Sequence, residues 1–127
     1  LQGCLERYVS GSGLAMIHER RGGDALDAAE VVARAQAGDA IAQQALAIHR
    51  DLLGYSFASL ILAIDPHVIV LGGGLSKLEQ LYRDLPAAIA PYLFAGVRVP
   101  PILPPTFGDA GGARGAALLA RQHHPSP

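Results

Sequence analysis

Residues 68–79, VIVLGGGLSKLE, constrain the fold more than any other stretch of this chain. Val68, Ile69, Val70 and Leu71 are apolar on both alternating faces, the pattern of a strand covered on both sides, as in a parallel sheet. Ser76 followed three positions later by Glu79 has the spacing of a capping box at a helix start. Between them, Gly72, Gly73 and Gly74 remove three side chains at one junction. The segment therefore predicts strand, glycine turn and helix. Glycine lets a backbone approach a ligand closely, and the amides at a helix start favour negative charge, so the turn is a candidate nucleotide site. A tight strand-to-helix turn with no ligand satisfies the same residues. The spacing is neither a GxGxxG fingerprint nor a phosphate loop ending in Lys-Ser or Lys-Thr.

The residues before this unit read as helices. SGSG at 10–13 interrupts a helical stretch between Leu5 and Arg20, predicting two short helices that meet at a sharp bend. Asp27 or a neighbour caps a third helix bearing Val31, Val32 and Ala35, and Gly38 ends it. Asp39 caps the longest one, in which Ile41, Ala45, Ile48, Leu52, Leu53, Phe57, Leu60, Ile61 and Ile64 recur at three- and four-residue steps. Its second half, LLGYSFASLILAI, is apolar or small nearly all round and is expected to be buried. That run is too short to span a bilayer, and His49, Arg50 and Asp51 precede it. Pro66 cannot continue the helix, and Asp65 before it connects to the strand.

After the glycines a helix is expected from Ser76 to about Ala90, with Pro86 as a kink or boundary. A second strand is expected near Val97–Val99, then an extended connection, PPILPP. In TFGDAGGARGAALLA, Asp109 is suited to an N-cap, and Gly111, Gly112 and Gly115 weaken the helix they occupy by about 1 kcal/mol each relative to alanine. Glycines kept at that cost imply a neighbour, backbone or ligand, that leaves no room for side chains. HHPSP closes the chain as a frayed tail.

A length of 127 residues fits one domain, and a hydrophobic content of 50% suffices for a core. The formal net charge of −1, with no basic block, gives no basis for nucleic-acid or membrane-surface binding. The single Cys4 forms no internal disulfide, which fits a reducing compartment. With no signal peptide or long uncharged apolar span, a soluble cytoplasmic protein is expected. Two strands for about five helices is too little sheet for a self-sufficient α/β domain, and LQGCLER opens within what reads as a motif, so a fragment is expected.

Three pieces together resemble the ROK family of repressors, open reading frames and sugar kinases. GCLERYVSGSGL at 3–14 resembles the second half of the signature CxCGxxGCxExxxSGxGL. DPHVIVLGGGLS at 65–76 resembles the adenosine-side glycine turn, and GDAGGARGAALL at 108–119 a C-terminal helix motif. The pieces occur in the family's order. The resemblance implies an α/β fold, the C-terminal portion of an actin/hexokinase-like (ribonuclease H-like) ATPase domain, helix-rich with few strands. It covers residues 1–122 and leaves 123–127 as a tail.

The activity implied is an ATP-dependent hexose kinase acting on the 6-hydroxyl of fructose first, or of N-acetylglucosamine, mannose or glucose, with sugar and ATP as small-molecule partners, Mg and a structural Zn as cofactors, and a homodimer as the common assembly. Cys4 matches the last of three zinc cysteines; alone it reads as a buried structural thiol, since a zinc site needs several ligands. Glu6 matches a glutamate that accepts from sugar hydroxyls, and otherwise reads as a solvated charge. Gly72, Gly73 and Gly74 match the turn beside adenosine and the α-phosphate. Ser10, Gly11 and Gly13 match the bend next to the same cleft. Asp109, Gly111 and Gly112 match the C-terminal motif, and Arg114 is within reach of phosphate or of a surface ion pair. The five histidines have no metal-ligand spacing and receive no chemistry.

The family's DxGxT phosphate motif, its catalytic aspartate and its ExGH sugar clamp do not occur in these residues. Phosphoryl transfer needs all three roles together. No catalytic residue is therefore assigned within this chain. A sugar-sensing effector domain of a ROK transcriptional repressor is the alternative function, because repressors share the same GCxE and glycine-turn motifs. A ligand-free binding or oligomerisation module is a third.

Overall fold

The computed structural model describes residues 3–123, apart from the side chains of Asp109 and His123. Six α-helices, two short strands and three 3-10 turns follow in the order α1 (Glu6–Val9), α2 (Gly11–Arg20), α3 (Ala28–Gln36), α4 (Ala40–Ile64), β1 (Ile69–Val70), α5 (Glu79–Ile89), β2 (Ile102–Leu103) and α6 (Gly111–His123). The 3-10 turns are Gly74–Lys77, Ala90–Tyr92 and Gly108–Ala110.

Local chemistry sets most boundaries. Ser10 ends α1 and caps α2, its hydroxyl accepting from the Gly13 N–H at 3.2 Å, so the bend expected at SGSG is present. Asp27 and Glu30 form a reciprocal capping box on α3. Gly38, at φ 95°, takes the left-handed conformation after α3. The Asp39 carboxylate accepts from the Ala42 N–H at 2.9 Å, which starts α4 and holds that carboxyl below its ordinary range. Asp65, at φ 44°, stops α4 before Pro66.

α4 is the spine. Its first half buries Ala42 and Ala45 against Leu14, Ile17, Val31 and Ala35 of α2 and α3. Its second half buries Leu53, Ala58 and Ile61 with Leu71, Leu85 and Ile89. α5 packs tightly against α4 at Gly54, where a β-carbon would run into the Ala88 carbonyl oxygen. By length and composition α4 alone among the described helices could cross a membrane, yet it packs as the core helix between α2, α3 and α5.

Four expectations are corrected. The second half of α4 is not buried all round: Tyr55, Leu60, Leu62 and Ile64 are exposed, although α5 and the Ala90–Tyr92 turn pack on the helix. The second strand lies at Ile102–Leu103 rather than Val97–Val99, and pairs in parallel with β1 in the register Ile69 to Ile102 and Val70 to Leu103. Ser76 and Glu79 do not form a capping box. Ser76 sits inside the 3-10 turn, its hydroxyl donating to the Gly73 carbonyl at 2.6 Å, and α5 begins at Glu79 without a side-chain cap. Finally, β-carbons at Gly111, Gly112 and Gly115 would meet open space, so no part of the described chain enforces those glycines.

Pro86 lies inside α5, as a continuous helix rather than a boundary. The proposed cap by Asp109 rests on a side chain outside the described residues; of the expected tail at 123–127, His123 closes α6 and 124–127 lie outside the described residues.

Candidate functional site

The site is assembled from three distant stretches of chain. Gly11, in the first turn of α2, lies where a β-carbon would touch Ala28 Cβ at 3.4 Å and Leu75 Cδ2 at 3.8 Å. The SGSG bend, the start of α3 and the glycine turn thus meet at one point. Around it opens a cleft of about 650 Å³, walled by Glu6, Ser10 and Gly11 on one side, Asp27 and Ala28 on another, and Gly72 to Leu75 with Lys77 on the third.

The glycine turn is exposed, and β-carbons at Gly72, Gly73 and Gly74 would meet no atom within 4 Å. Gly73 has φ 78°, a left-handed value that favours glycine, whereas Gly72 and Gly74 carry no such constraint. Their backbone is bare toward solvent. That geometry lets a ligand lie directly on the peptide groups. The turn is anchored from beneath: the Gly73 carbonyl accepts from both the N–H (3.1 Å) and the hydroxyl (2.6 Å) of Ser76, and the Ser76 carbonyl accepts from the Tyr82 hydroxyl at 2.7 Å.

The same turn packs against the Gly108–Ala110 turn, so the LGGGLS and GDAGG motifs are neighbours across 30 residues of chain. Gly112 follows on the exposed first turn of α6. Arg114 makes no ion pair among the described residues; its guanidinium lies 4.0 Å over the Phe107 ring.

Gly13 occupies a different place from Gly11. It is buried where α1 and α2 meet, with the Tyr8 carbonyl oxygen 2.4 Å from where a β-carbon would sit. Its requirement for hydrogen is a packing one. Glu6 is exposed on the cleft rim.

Cys4 is a free, exposed thiol, so the expectation of a buried one is corrected. Among the described residues no three His, Cys, Asp or Glu side chains gather to hold a metal. The described residues therefore do not by themselves make a zinc centre or a magnesium site. The glycine wall offers bare peptide groups and open space rather than a carboxylate cluster.

Two histidines without expected chemistry are structural. His49, buried on α4, donates from Nε2 to the Ser10 carbonyl at 3.0 Å, since a carbonyl can only accept. Burial pushes its pKa below the ordinary 6.5, against the opposing backbone contacts at Ser10 and Val9. His18 donates from Nδ1 to the Asp24 carbonyl at 3.1 Å, leaving its buried Nε2 without a partner. Nothing in a helical sequence pattern distinguishes a buried histidine from a solvated one. A second groove, of about 340 Å³, lies beside the first between α3, α4 and α5, lined by Leu46, His49, Leu53, Leu78 and Leu81.

Comparison with known proteins follows the same geometry. The chain is 43% identical over 116 residues to the N-acetyl-D-glucosamine kinase of Mannheimia succiniciproducens, covering 91% of this chain and 38% of that protein. It is likewise 43% identical to the N-acetylgalactosamine kinase AgaK of a Shewanella species, over 94% of this chain and 39% of the relative. The chain thus spans about two fifths of the length of these curated relatives. Among solved structures, it superposes on a ROK family glucokinase from Streptomyces griseus in complex with glucose and AMPPNP with a TM-score of 0.80 and 25% identity, covering 96% of this chain and 46% of that one. A ROK hexokinase from Thermus thermophilus gives a TM-score of 0.77 at 34% identity, over 94% of this chain and 40% of that one. The fold is accordingly that of the C-terminal portion of ROK hexokinase-like proteins. With the ROK family profile matching residues 1–123, this chain belongs to the ROK family.

Proposed function

We propose that this chain is the C-terminal part of an ATP-dependent sugar kinase that phosphorylates the 6-hydroxyl of an N-acetylhexosamine or a related hexose. The observation that carries the reading is the bare, anchored Gly72–Gly74 wall meeting the SGSG bend in one cleft. Magnesium-bound ATP supplies the phosphoryl group. The chain's own residues hold it: Gly72, Gly73 and Gly74 with Gly11 form the surface for the adenosine side, and Glu6 on the rim accepts hydrogen bonds from sugar hydroxyls. Asp109, in the Gly108–Ala110 turn packed against the glycine turn, and Gly112, on the first turn of α6, belong to the same nucleotide side in this reading. Gly13 serves the site by fixing the bend that carries Gly11.

The relatives' names favour an amino sugar over the fructose expected first from the family resemblance. A soluble cytoplasmic homodimer is the form this reading expects. Zinc would require ligands from outside these residues, with Cys4 supplying one thiolate.

The test is phosphorylation of a panel of N-acetylglucosamine, N-acetylgalactosamine, glucose, mannose and fructose by the full-length protein with ATP and magnesium, the product being identified by phosphorus NMR. ATP-dependent formation of a sugar 6-phosphate, fastest with N-acetylglucosamine, is expected. Sugar binding without any phosphoryl transfer would instead indicate a sensor domain.

A further inference from the structure

We infer that Tyr82 is a positioning residue for the nucleotide: through Ser76, its hydroxyl holds the glycine turn in the shape that receives the adenosine side. The inference rests on the kinase reading and gives a role to a residue outside the glycine-turn motif, which ends at Ser76. Gly72, Gly73 and Gly74 have no side chains with which to pack, and β-carbons there would meet open space. Consecutive glycines have the widest backbone freedom a chain offers, so a binding surface built from them loses affinity to the cost of ordering it unless it is fixed beforehand. Hydrogen bonds must supply that preorganisation.

The bonds form a relay from the core to the turn. Tyr82, half-buried on α5, packs against the cluster of Leu53, Leu71, Leu85 and Ile89, and α5 itself lies along the spine helix α4. From that base the phenol reaches back and donates to the Ser76 carbonyl at 2.7 Å. Buried Ser76 then donates twice to the Gly73 carbonyl, from its N–H at 3.1 Å and from its hydroxyl at 2.6 Å. Gly73 is the residue at φ 78°, so the relay ends on the glycine of the three whose backbone is left-handed. Because α5 begins at Glu79 without a side-chain cap, the Tyr82 hydroxyl is a side-chain link between that helix and the turn before it. A tyrosine suits the task, having an apolar body for the core and a polar tip for the acceptor.

The experiment compares the full-length protein with its Tyr82→Phe variant, which keeps the ring and deletes the hydroxyl alone. Calorimetry gives the affinities for ATP, ADP and adenosine, and a coupled assay gives KM for ATP, KM for N-acetylglucosamine and kcat. Tyr82→Phe is expected to weaken ATP, ADP and adenosine by the same factor, about fivefold, since the turn faces the part that all three share. KM for ATP rises with it, while the sugar KM and kcat stay within about twofold of wild type. Amide exchange of Ser76 and Leu78 in the nucleotide-free protein is expected to accelerate in the variant and to slow again when ATP is saturating. Equal nucleotide affinity in the two proteins overturns the inference alone, the nucleotide reading standing on the wild-type titration. A loss confined to ATP overturns it by moving the effect of the hydroxyl to the phosphates. A parallel fall in sugar affinity and kcat overturns it too, since the hydroxyl would then hold the fold at large. Unchanged exchange at both amides overturns the relay. A wild-type protein that binds none of the three ligands removes the nucleotide reading and this inference together.

Discussion

The imidazole of His49 and the carbonyl of Ser10 are joined by a 3.0 Å hydrogen bond across 39 residues of chain. The bond ties the spine helix α4 to the bend between α1 and α2, and so holds Glu6 and Gly11 relative to the core. Replacing His49 with alanine removes one of the two donors to the Ser10 carbonyl, the Leu14 N–H remaining, and empties a buried site on α4. A loss of about 2–4 kcal/mol is expected in urea unfolding. A loss below about 0.5 kcal/mol would mean that the bend is held by other contacts.

The same histidine makes stability depend on pH. Burial lowers its folded pKa below the unfolded value of 6.5. Above 6.5 both states are neutral and the contribution is complete. As pH falls from 6.5 toward the folded value, the unfolded chain takes up a proton that the folded chain refuses, so stability declines, at most by about 1.4 kcal/mol per pH unit for one site. Comparing melting curves between pH 7.5 and 5 for wild type and His49→Gln is expected to show a shallower decline in the variant. Parallel curves would contradict it.

Gly54→Ala places a methyl group against the Ala88 backbone, where neither helix can yield cheaply. Destabilisation of about 3 kcal/mol is expected, at the upper end of core overpacking. A variant with wild-type stability would show that α4 and α5 do not approach so closely.

Removing the Ser76 hydroxyl takes away one of the two bonds to the Gly73 carbonyl and costs about 1 kcal/mol. Its larger expected effect is local. Amide hydrogen exchange of Gly74 through Lys77 should accelerate in Ser76→Ala while α4 stays protected. Unchanged exchange across the turn would remove Ser76 as its anchor.

The 127 residues by themselves are expected to show no sugar phosphorylation above the uncatalysed background, because the DxGxT, ExGH and catalytic-aspartate elements implied by the family are not among them. A coupled assay of that chain alone checks this. Turnover comparable with that of a full-length relative would contradict it.

The caps and breaks were legible because they depend on local chemistry. Ser10, Asp27, Asp39, Gly38 and Asp65 each fix a boundary through their own side chain or dihedral. The second strand was not legible, because prolines obscured it. Proline removes a donor but keeps its carbonyl, and the Pro101 carbonyl accepts from Ile69 while the Leu103 carbonyl accepts from Leu71. Val97–Val99 has the branched composition of a strand but lacks that partner. The Ser76–Glu79 spacing misled for a related reason: the hydroxyl turns back to Gly73, and the Glu79 carboxylate goes to Arg83 instead. Of the candidate site, the meeting of Gly11 with the glycine turn followed from motif resemblance. The division of labour between Gly11 and Gly13, two residues apart, required the fold.

The most direct test of the central claim, that the glycine turn is the nucleotide wall, is ATP titration of the wild-type protein and of Gly74→Val. Gly74 faces open space and carries no positive φ, so a valine there is expected to leave the melting temperature within a few degrees of wild type. The account predicts saturable ATP binding in wild type, weakened by tenfold or more in Gly74→Val as the added side chain stands between backbone and ligand. Equal ATP affinity in the two folded proteins would contradict it.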